Sequence, residues 1–190
     1  MFSCVTCNMK KDKKNKSINL VLLGLDEAGK TSILNKISTN QDLGSFTDLG
    51  FKPPSTCGFN LRAYSYCKRN ITVYDCGGKK EFRELWEYYC QNVDGVIYVI
   101  DSSDASRLEE AGLELINVLK NPILANKPLL ILANKGDLEG SLSCDRLTDY
   151  YGFKDINDRE WFIMQTSAID GKGVHQGLMW ITKIAIDSKY

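Results

Sequence analysis

The stretch Gly24-Leu25-Asp26-Glu27-Ala28-Gly29-Lys30-Thr31 separates an apolar run, Ile18–Leu23, from a segment of helical character at residues 31–37. It matches the pattern G-x-x-x-x-G-K-[ST], in which glycines let the backbone wrap closely around phosphate groups. The start of the following helix adds its dipole, Lys30 is expected to reach the β and γ phosphates, and the Thr31 hydroxyl is expected to ligate Mg²⁺. The stretch therefore predicts a strand, a phosphate loop and a helix that bind a nucleoside triphosphate.

Every residue of this loop, and Ser32 directly after it, is predicted to contact the nucleotide. Two carboxylates, Asp26 and Glu27, lie in this anion-binding loop, and both are expected to point to solvent. The pattern indicates a nucleoside triphosphate but does not identify its base.

A second motif, Asn134-Lys135-Gly136-Asp137, ends a predicted strand at residues 129–133. The aspartate can accept hydrogen bonds from guanine N1–H and from the exocyclic amine, whereas adenine lacks this pair of donors. The lysine stem can lie over the ring, and the asparagine can tie neighbouring loops together. Thr166-Ser167-Ala168 closes another predicted strand, and a backbone N–H at Ser167 or Ala168 is expected to hold guanine O6. Together these segments predict a guanine site.

A third motif, Asp75-Cys76-Gly77-Gly78, follows a predicted strand at residues 71–74. Its aspartate is expected to hold Mg²⁺ through water, and the Gly78 N–H is expected to bond the γ-phosphate. Thr56, in the preceding loop, is placed to offer Mg²⁺ a second hydroxyl beside that of Thr31. Loss of the γ-phosphate would remove these contacts and release two segments, which is the behaviour of a switch.

Strand-like and helix-like segments alternate along the chain. Strands are predicted at residues 18–23, 59–66, 71–74, 96–100, 129–133 and 161–166, with a hairpin turn at 68–70. Helices are predicted at residues 31–37, 82–91 and 142–150, and along apolar stripes that begin at Leu108 and Val174. This order predicts an α/β fold: a P-loop NTPase with a single small G domain, a mostly parallel six-stranded sheet and helices on both faces.

Composition indicates one globular domain without a membrane span. The chain has 190 residues, and its 24 basic residues balance its 24 acidic ones, so nothing points to a nucleic-acid partner. No apolar run reaches the roughly 18 residues that a transmembrane helix needs. Seven cysteines at irregular spacing, with no secretory leader, favour a cytoplasmic location with free thiols.

Residues 1–16 differ from the rest, and we predict a flexible basic tail there and a G domain at residues 17–190. Five lysines lie between residues 10 and 16, after Cys4 and Cys7. Acylation of the two cysteines, together with the basic run, would bring the tail to an anionic membrane surface. A solvated tail without lipid is the alternative. A metal site at these cysteines is not expected, because His175 is the only histidine.

Several segments resemble those of the Arf and Arf-like GTPases. They are residues 24–31, Pro54-Ser55-Thr56-Cys57-Gly58-Phe59-Asn60, Tyr74-Asp75-Cys76-Gly77-Gly78, Leu85-Trp86-Glu87-Tyr88-Tyr89, residues 134–137 and residues 166–168. The similarity covers residues 17–187. It implies GTP and GDP as ligands with Mg²⁺, and a hairpin that shifts register with the nucleotide. It also implies effector binding through an apolar patch of Phe59, Tyr74 and Tyr89.

The sequence departs from the family pattern at three places. Lys79 stands where the family has a glutamine that orients the attacking water, and an ammonium group has no acceptor for that water. Hydrolysis is therefore expected to be very slow, and Lys79 with Gly78 marks the predicted catalytic position. Phe2 replaces the glycine that N-myristoylation requires. The loop between Ile37 and Thr56 is several residues longer than usual.

The opening Met1-Phe2-Ser3, the nearby cysteines, the basic run, the replaced glutamine and residues 127–140 resemble the ciliary, palmitoylated Arf-like branch. That resemblance implies a peripheral membrane location in the cilium and an exchange factor for another Arf-like GTPase. Three functions stay open from the sequence. They are a slow switch that recruits effectors, a non-hydrolysing GTP-bound scaffold or exchange factor, and a P-loop kinase, which the motif at residues 134–137 disfavours.

Overall fold

A seven-stranded sheet forms the centre of the computed structural model, which describes residues 17–38, 47–48, 58–66 and 69–189. The strands are β1 Ile18–Leu23, β2 Thr47–Asp48, β3 Phe59–Tyr66, β4 Arg69–Cys76, β5 Gly95–Asp101, β6 Leu129–Asn134 and β7 Trp161–Gln165. They lie in the order β2-β3-β4-β1-β5-β6-β7. The pairs β4–β1, β1–β5, β5–β6 and β6–β7 are parallel, whereas β2–β3 and β3–β4 are antiparallel. The predicted mostly parallel sheet is confirmed.

The sheet has one strand more than the six predicted. β2 has two residues, which lie opposite Ala63 and Arg62 of β3. So short a strand shows no apolar alternation, and for this reason the sequence pattern did not reveal it. The predicted hairpin is confirmed, but β4 begins at Arg69, which pairs with Tyr66. The two residues between these strands lie outside the described ranges.

Helices cover both faces of the sheet, as predicted. They are α1 Lys30–Ser38, α2 Lys80–Arg83, α3 Trp86–Tyr89, α4 Leu108–Lys120, α5 Cys144–Tyr151 and α6 Val174–Lys189. On one face α1 and α6 pack over a core that includes Leu20 and Leu22, and on the other face α3, α4 and α5 cover Val21 and Leu23. Because successive side chains of a strand point to opposite faces, β1 contributes to both cores.

The predicted helix at residues 82–91 is wrong in its extent, because the chain forms the two short helices α2 and α3 there. The N–H of Leu85 donates to the Phe82 carbonyl, three residues back, at 3.1 Å. This tighter turn interrupts the helical hydrogen-bond ladder. Trp86 then points into the core, and its indole N–H donates to the Gly77 carbonyl at 2.9 Å.

The end of α6 meets the start of β1. The Lys189 ammonium donates to the Ser17 carbonyl at 2.9 Å and to Asp94 Oδ2 at 2.7 Å. The same carboxylate oxygen accepts from the backbone N–H of Asn19 at 2.9 Å. Two strands and the last helix are therefore joined at one corner, at the amino edge of the parallel strands.

Candidate nucleotide site

The candidate site lies at the opposite, carboxyl edge of the parallel strands. The loops that follow β1, β4, β6 and β7 carry the four predicted motif segments. Parallel strands end at the same edge of a sheet, so residues far apart along the chain meet there. Side-chain hydrogen bonds link the segments around these loops.

Three residues with positive φ turn the phosphate loop. Gly24 has a φ of 134°, Glu27 of 62° and Gly29 of 92°. A Cβ atom on Gly29 would collide with the side-chain amide of Asn134, so the loop can approach the base motif only with glycine at this position. Glu27 is exposed, as predicted.

Lys30 is a buried cation at the start of α1, with 7% of its surface exposed. Its ammonium donates to the Gly24 carbonyl at 2.9 Å and to the Leu25 carbonyl at 2.7 Å. Burial lowers the pKa of Lys30 from 10.5 to about 8, although the carboxylates of Asp75 and Asp26 oppose this shift. A partly desolvated cation inside a turn of backbone suits an anionic group such as phosphate.

Thr31 and Asp75 join α1 to the end of β4. The Thr31 hydroxyl donates to Asp75 Oδ2 at 2.7 Å. Burial raises the pKa of the Asp75 carboxyl, and the hydrogen bond from Thr31 and the charge of Lys30 partly offset this shift. A hydroxyl and a carboxylate are the hard oxygen groups that Mg²⁺ prefers, so this pair fits a magnesium ion. Thr56, the other predicted ligand, lies outside the described residues.

The Gly77-Gly78 turn lies directly against the phosphate loop. A Cβ atom on Gly78 would run into the backbone of Leu25 and Asp26, so this close approach requires glycine. Lys79 follows in extended conformation, with φ −62° and ψ 146°, and its side chain is exposed. Lys79 lines a cavity of about 310 Å³ together with Lys30, Thr31 and Asp75. The predicted catalytic position thus faces the same space as Thr31 and Asp75.

Asn134 links the base motif to two other loops. Its Nδ2 donates to the Ala28 carbonyl of the phosphate loop at 2.8 Å, and its Oδ1 accepts from the Thr166 hydroxyl at 3.3 Å. The side chain is 1% exposed. The expectation that this asparagine ties the loops together is confirmed.

Lys135 has a charged partner that sequence reasoning missed. Its ammonium lies 2.5 Å from Asp101 Oδ2, at the end of β5. Burial alone would raise the pKa of Asp101, but the hydrogen bonds from Lys135 and Ser103 leave this pKa lowered. The pair fixes the direction of the lysine stem. The sole sequence signal was the position of Asp101 directly after a buried strand.

The remaining guanine-site residues lie around the loop after β7. The Gly136 N–H donates to the Thr166 carbonyl at 2.9 Å, which places the base motif beside that loop. Asp137 is exposed, and within the described part of the chain its carboxylate has no hydrogen-bond or ion-pair partner. Ser167 is buried and Ala168 half-buried. Asp137 is therefore accessible to a ligand at this edge.

Asp26 does not point to solvent, and that prediction is wrong. Its carboxylate accepts from Arg107 Nη2 at 2.6 Å, and its carbonyl accepts from Arg107 Nη1 at 3.1 Å. Arg83 approaches the same carboxylate at 3.8 Å. Burial tends to raise the pKa of Asp26, but Arg107 outweighs this effect and leaves the pKa lowered. No local pattern in the sequence marks either arginine.

Two of the three predicted patch residues are in contact. The ring centroids of Phe59 and Tyr89 lie 4.6 Å apart, and the rings of Tyr88 and Tyr89 pack edge to face with centroids 5.5 Å apart. Tyr74 is half-buried against the core on β4. Tyr88, which was not predicted, is 69% exposed and extends this aromatic surface.

The fold and the arrangement of its loops define the class of the protein: a P-loop NTPase fold built as a single small G domain. The sequence model of the ADP-ribosylation factor family, Arf, matches residues 4–185. The chain therefore belongs to the ADP-ribosylation factor family, as its resemblance to the Arf and Arf-like GTPases predicts.

Individual relatives cover nearly the whole chain. ADP-ribosylation factor-like protein 2 of Dictyostelium discoideum is 34% identical over 179 residues, which are 94% of this chain and 93% of that protein. ADP-ribosylation factor D of the same organism is 37% identical over 177 residues, 93% of this chain and 78% of that protein. The Arl6 (BBS3) small GTPase of Trypanosoma brucei, solved with the bound nucleotide analogue GppNp, has a TM-score of 0.77 at 32% identity. Its match covers 90% of this chain and 99% of that one.

Among residues 17–189, apart from the undescribed gaps, no helix is both long and apolar enough to cross a membrane. The predictions for Cys4, Cys7 and the tail at residues 1–16 concern residues outside the described ranges.

Proposed function

We propose that this protein is a Mg²⁺-dependent switch that binds GTP and GDP, hydrolyses GTP slowly and recruits effectors in the GTP state. The observation that carries this proposal is the Asn134 side chain, which bonds the phosphate loop at Ala28 and the loop after β7 at Thr166. A base site and a phosphate site are thereby held at a fixed separation, as a single nucleotide requires.

Each residue of the site has a role in this proposal. Lys30 and the backbone from Gly24 to Ser32 hold the phosphates, and Asp137 with Ser167 and Ala168 reads the guanine edge. Thr31, Thr56 and Asp75 hold the magnesium ion, which neutralises phosphate charge. Gly78 contacts the γ-phosphate. Residues 17–190 supply all of these groups, and residues 1–16 are a separate basic tail.

Calorimetric titration with GDP, a non-hydrolysable GTP analogue and ATP tests the nucleotide assignment. We expect tight binding of both guanine nucleotides and weak binding of ATP. Asp137→Asn should weaken guanine binding by more than about tenfold, since the amide replaces an acceptor by a donor. The same variant should gain affinity for xanthosine diphosphate, whose base carries a carbonyl in place of the exocyclic amine.

The matched control is Asp187→Asn, which changes an exposed carboxylate on α6 and should leave the dissociation constants unchanged. Equal affinity of the wild type for ATP and GTP would contradict the guanine assignment.

Effector recruitment is proposed to use the aromatic surface of Phe59, Tyr74 and Tyr89, in membrane or ciliary trafficking. The contact between Phe59 and Tyr89 supports a patch at these two rings, and Phe59 lies opposite Cys76, directly before the Gly77-Gly78 turn. Pull-down with the GTP-analogue and GDP forms should retain partners, among them another Arf-like GTPase, on the former alone. Identical partners in both forms would count against a switch.

The protein is proposed to be cytoplasmic and to reach membranes peripherally, including those of the cilium, through its tail. Acyl groups on Cys4 and Cys7 and the lysines that follow are the two signals that stable attachment needs. Flotation of the wild type and of a Cys4→Ser/Cys7→Ser variant, both expressed in eukaryotic cells, tests this. Equal membrane fractions would exclude acylation as the anchor.

A second candidate is a GTP-bound scaffold, or exchange factor, that does not hydrolyse. The observation that favours it is Lys79, an exposed residue on the cavity wall whose ammonium group has no acceptor for a water. Single-turnover hydrolysis by Lys79→Gln should exceed that of the wild type by at least about tenfold, because the amide oxygen can orient water. The adjacent Lys80→Gln, also exposed, is the control. No gain in Lys79→Gln would exclude the missing glutamine as the cause of slow turnover.

A further inference from the structure

Arg83, in the last turn of α2, is bound to the backbone of the Gly77-Gly78 turn. Its Nε donates to the Gly78 carbonyl at 2.9 Å. The guanidinium is largely buried, with 9% of the side chain exposed. The peptide group that follows Gly78 is therefore held by a buried side chain of α2.

Two carboxylates of α4 fix the rest of this guanidinium. Nη2 donates to Glu110 Oε1 at 2.7 Å, and Nη1 donates to Glu114 Oε1 at 2.9 Å. Each of the three nitrogens of the planar group thus donates one hydrogen bond, which fixes the orientation of the group. Since α4 packs on the sheet core through Leu108 and Leu115, the arginine transfers the rigidity of that helix to the Gly77-Gly78 turn.

Glu110 and Arg83 are also linked to the phosphate loop by ion pairs. Glu110 Oε2 accepts from Arg107 Nε at 3.2 Å, and Arg107 binds both the carbonyl and the carboxylate of Asp26. Arg83 itself lies 3.8 Å from that carboxylate. One continuous charge network therefore joins the phosphate loop, α4 and the Gly77-Gly78 turn.

We propose that Arg83 is a positioning residue that sets the preference of the site for triphosphate over diphosphate, by holding the Gly78 carbonyl against α4. This inference rests on the proposed function, in which the Gly78 N–H contacts only the γ-phosphate. A diphosphate makes no contact with Gly78, so its affinity does not depend on how that residue is oriented. A triphosphate does make this contact, and its affinity falls when the turn must be ordered on binding.

The test is the ratio of the dissociation constants for GDP and a non-hydrolysable GTP analogue, measured in wild type and in Arg83→Gln. We expect the variant to bind the analogue about tenfold more weakly, with the GDP constant changed less than about twofold. Glu114→Gln, which removes one partner of the guanidinium and leaves the site itself untouched, should shift the ratio in the same direction by a smaller factor.

Arg159→Gln is the matched control. Arg159 is also buried, with 2% of its side chain exposed, and it also binds backbone carbonyls, those of Leu124 and Leu119. These contacts lie at the other edge of the sheet, so this variant should lower the unfolding midpoint and leave the nucleotide ratio unchanged.

An unchanged ratio in Arg83→Gln, or equal weakening of both nucleotides, overturns the inference and assigns this arginine a purely structural role. If Arg83→Gln does not fold, the ratio in Glu114→Gln decides in the same way. A wild type that binds neither guanine nucleotide removes the proposed function itself, an outcome distinct from binding with an unchanged ratio.

Discussion

Three buried polar side chains hold the candidate site together. Lys30, Asp75 and Asn134 are 7%, 3% and 1% exposed, respectively. Each one has at least one hydrogen-bond partner in another segment of the site or in its own loop, which offsets the cost of burying a polar group. At Lys30 this burial disfavours the charged form of the side chain and lowers its pKa.

Binding of a phosphate ligand near pH 8 should be accompanied by proton uptake at Lys30. The pKa of about 8 means that about half of the ammonium is deprotonated at that pH in the nucleotide-free protein. Nearby phosphate charge restores the proton. Calorimetry with GDP in buffers of different ionisation enthalpy should therefore show uptake of about half a proton at pH 8, falling towards zero by pH 6.5.

The ionisation of Lys30 should also make folding stability depend on pH, in the direction opposite to that of phosphate affinity. The folded pKa lies below the unfolded value of 10.5, so the unfolded chain holds more protons between about pH 8 and 10.5. The contribution of Lys30 to the stability of the nucleotide-free protein therefore rises with pH across this window, while affinity for phosphates falls. If the number of protons taken up on GDP binding stays constant from pH 6.5 to 9, the lowered pKa of Lys30 is contradicted.

Residue roles were predictable from sequence where a local motif marks them. The link made by Asn134 follows from its place after a buried strand in a recognisable tetrad. The partner of Asp26 does not, because Arg107 lies 81 residues further along the chain and belongs to no motif. Contacts between charged residues distant in sequence depend on the three-dimensional arrangement of α2 and α4, which periodicity does not encode.

At the scale of elements, β3 is joined to α6 through a buried hydrogen bond. The Tyr64 hydroxyl lies 2.7 Å from the Thr182 hydroxyl, and the two residues are 2% and 0% exposed. Burial raises the pKa of Tyr64, so the phenol stays protonated and available as a donor. The hairpin is thereby attached to the last helix as well as to its neighbours in the sheet.

Tyr64→Phe should lower the free energy of unfolding by about 1–3 kcal/mol, because it leaves the Thr182 hydroxyl buried without this partner. Urea denaturation monitored by circular dichroism measures the change. Tyr150→Phe is the control, since Tyr150 is 58% exposed and its loss of a hydroxyl should have little effect. Equal stabilities of the two variants would show that the Tyr64–Thr182 contact contributes nothing net.

Elements were predictable in proportion to their length. The apolar stripe Val174, Leu178, Ile181 and Ala185 is fully buried on α6, as its helical spacing predicts. The short helices α2 and α3 read as one helix in sequence, because the burial of Trp86 beside Gly77 that accompanies the break is a tertiary contact. β2 was missed for the same reason: its two residues are strand only because β3 lies beside them.

At the scale of the whole molecule, the candidate site lies at one edge of the sheet, and a set of structural contacts lies at the opposite edge. Its carboxyl edge gathers the loops of the candidate site, and its amino edge gathers the contacts of Lys189, Asp94 and Arg159. Alternation of buried strands and amphipathic helices was enough to predict the layers, because each parallel strand needs a crossover helix to return to the same edge. The contacts within each edge join residues distant in sequence, so sequence pattern did not predict them.

The corner formed by Lys189, Ser17 and Asp94 brings the two ends of the described domain side by side. A short flexible linker from residue 189 to residue 17 could therefore close the polypeptide into a ring, and a new opening at the exposed Asn157 and Asp158 would give a circular permutant of the same architecture. The order in which the chain is synthesised would change, while every strand kept its neighbours.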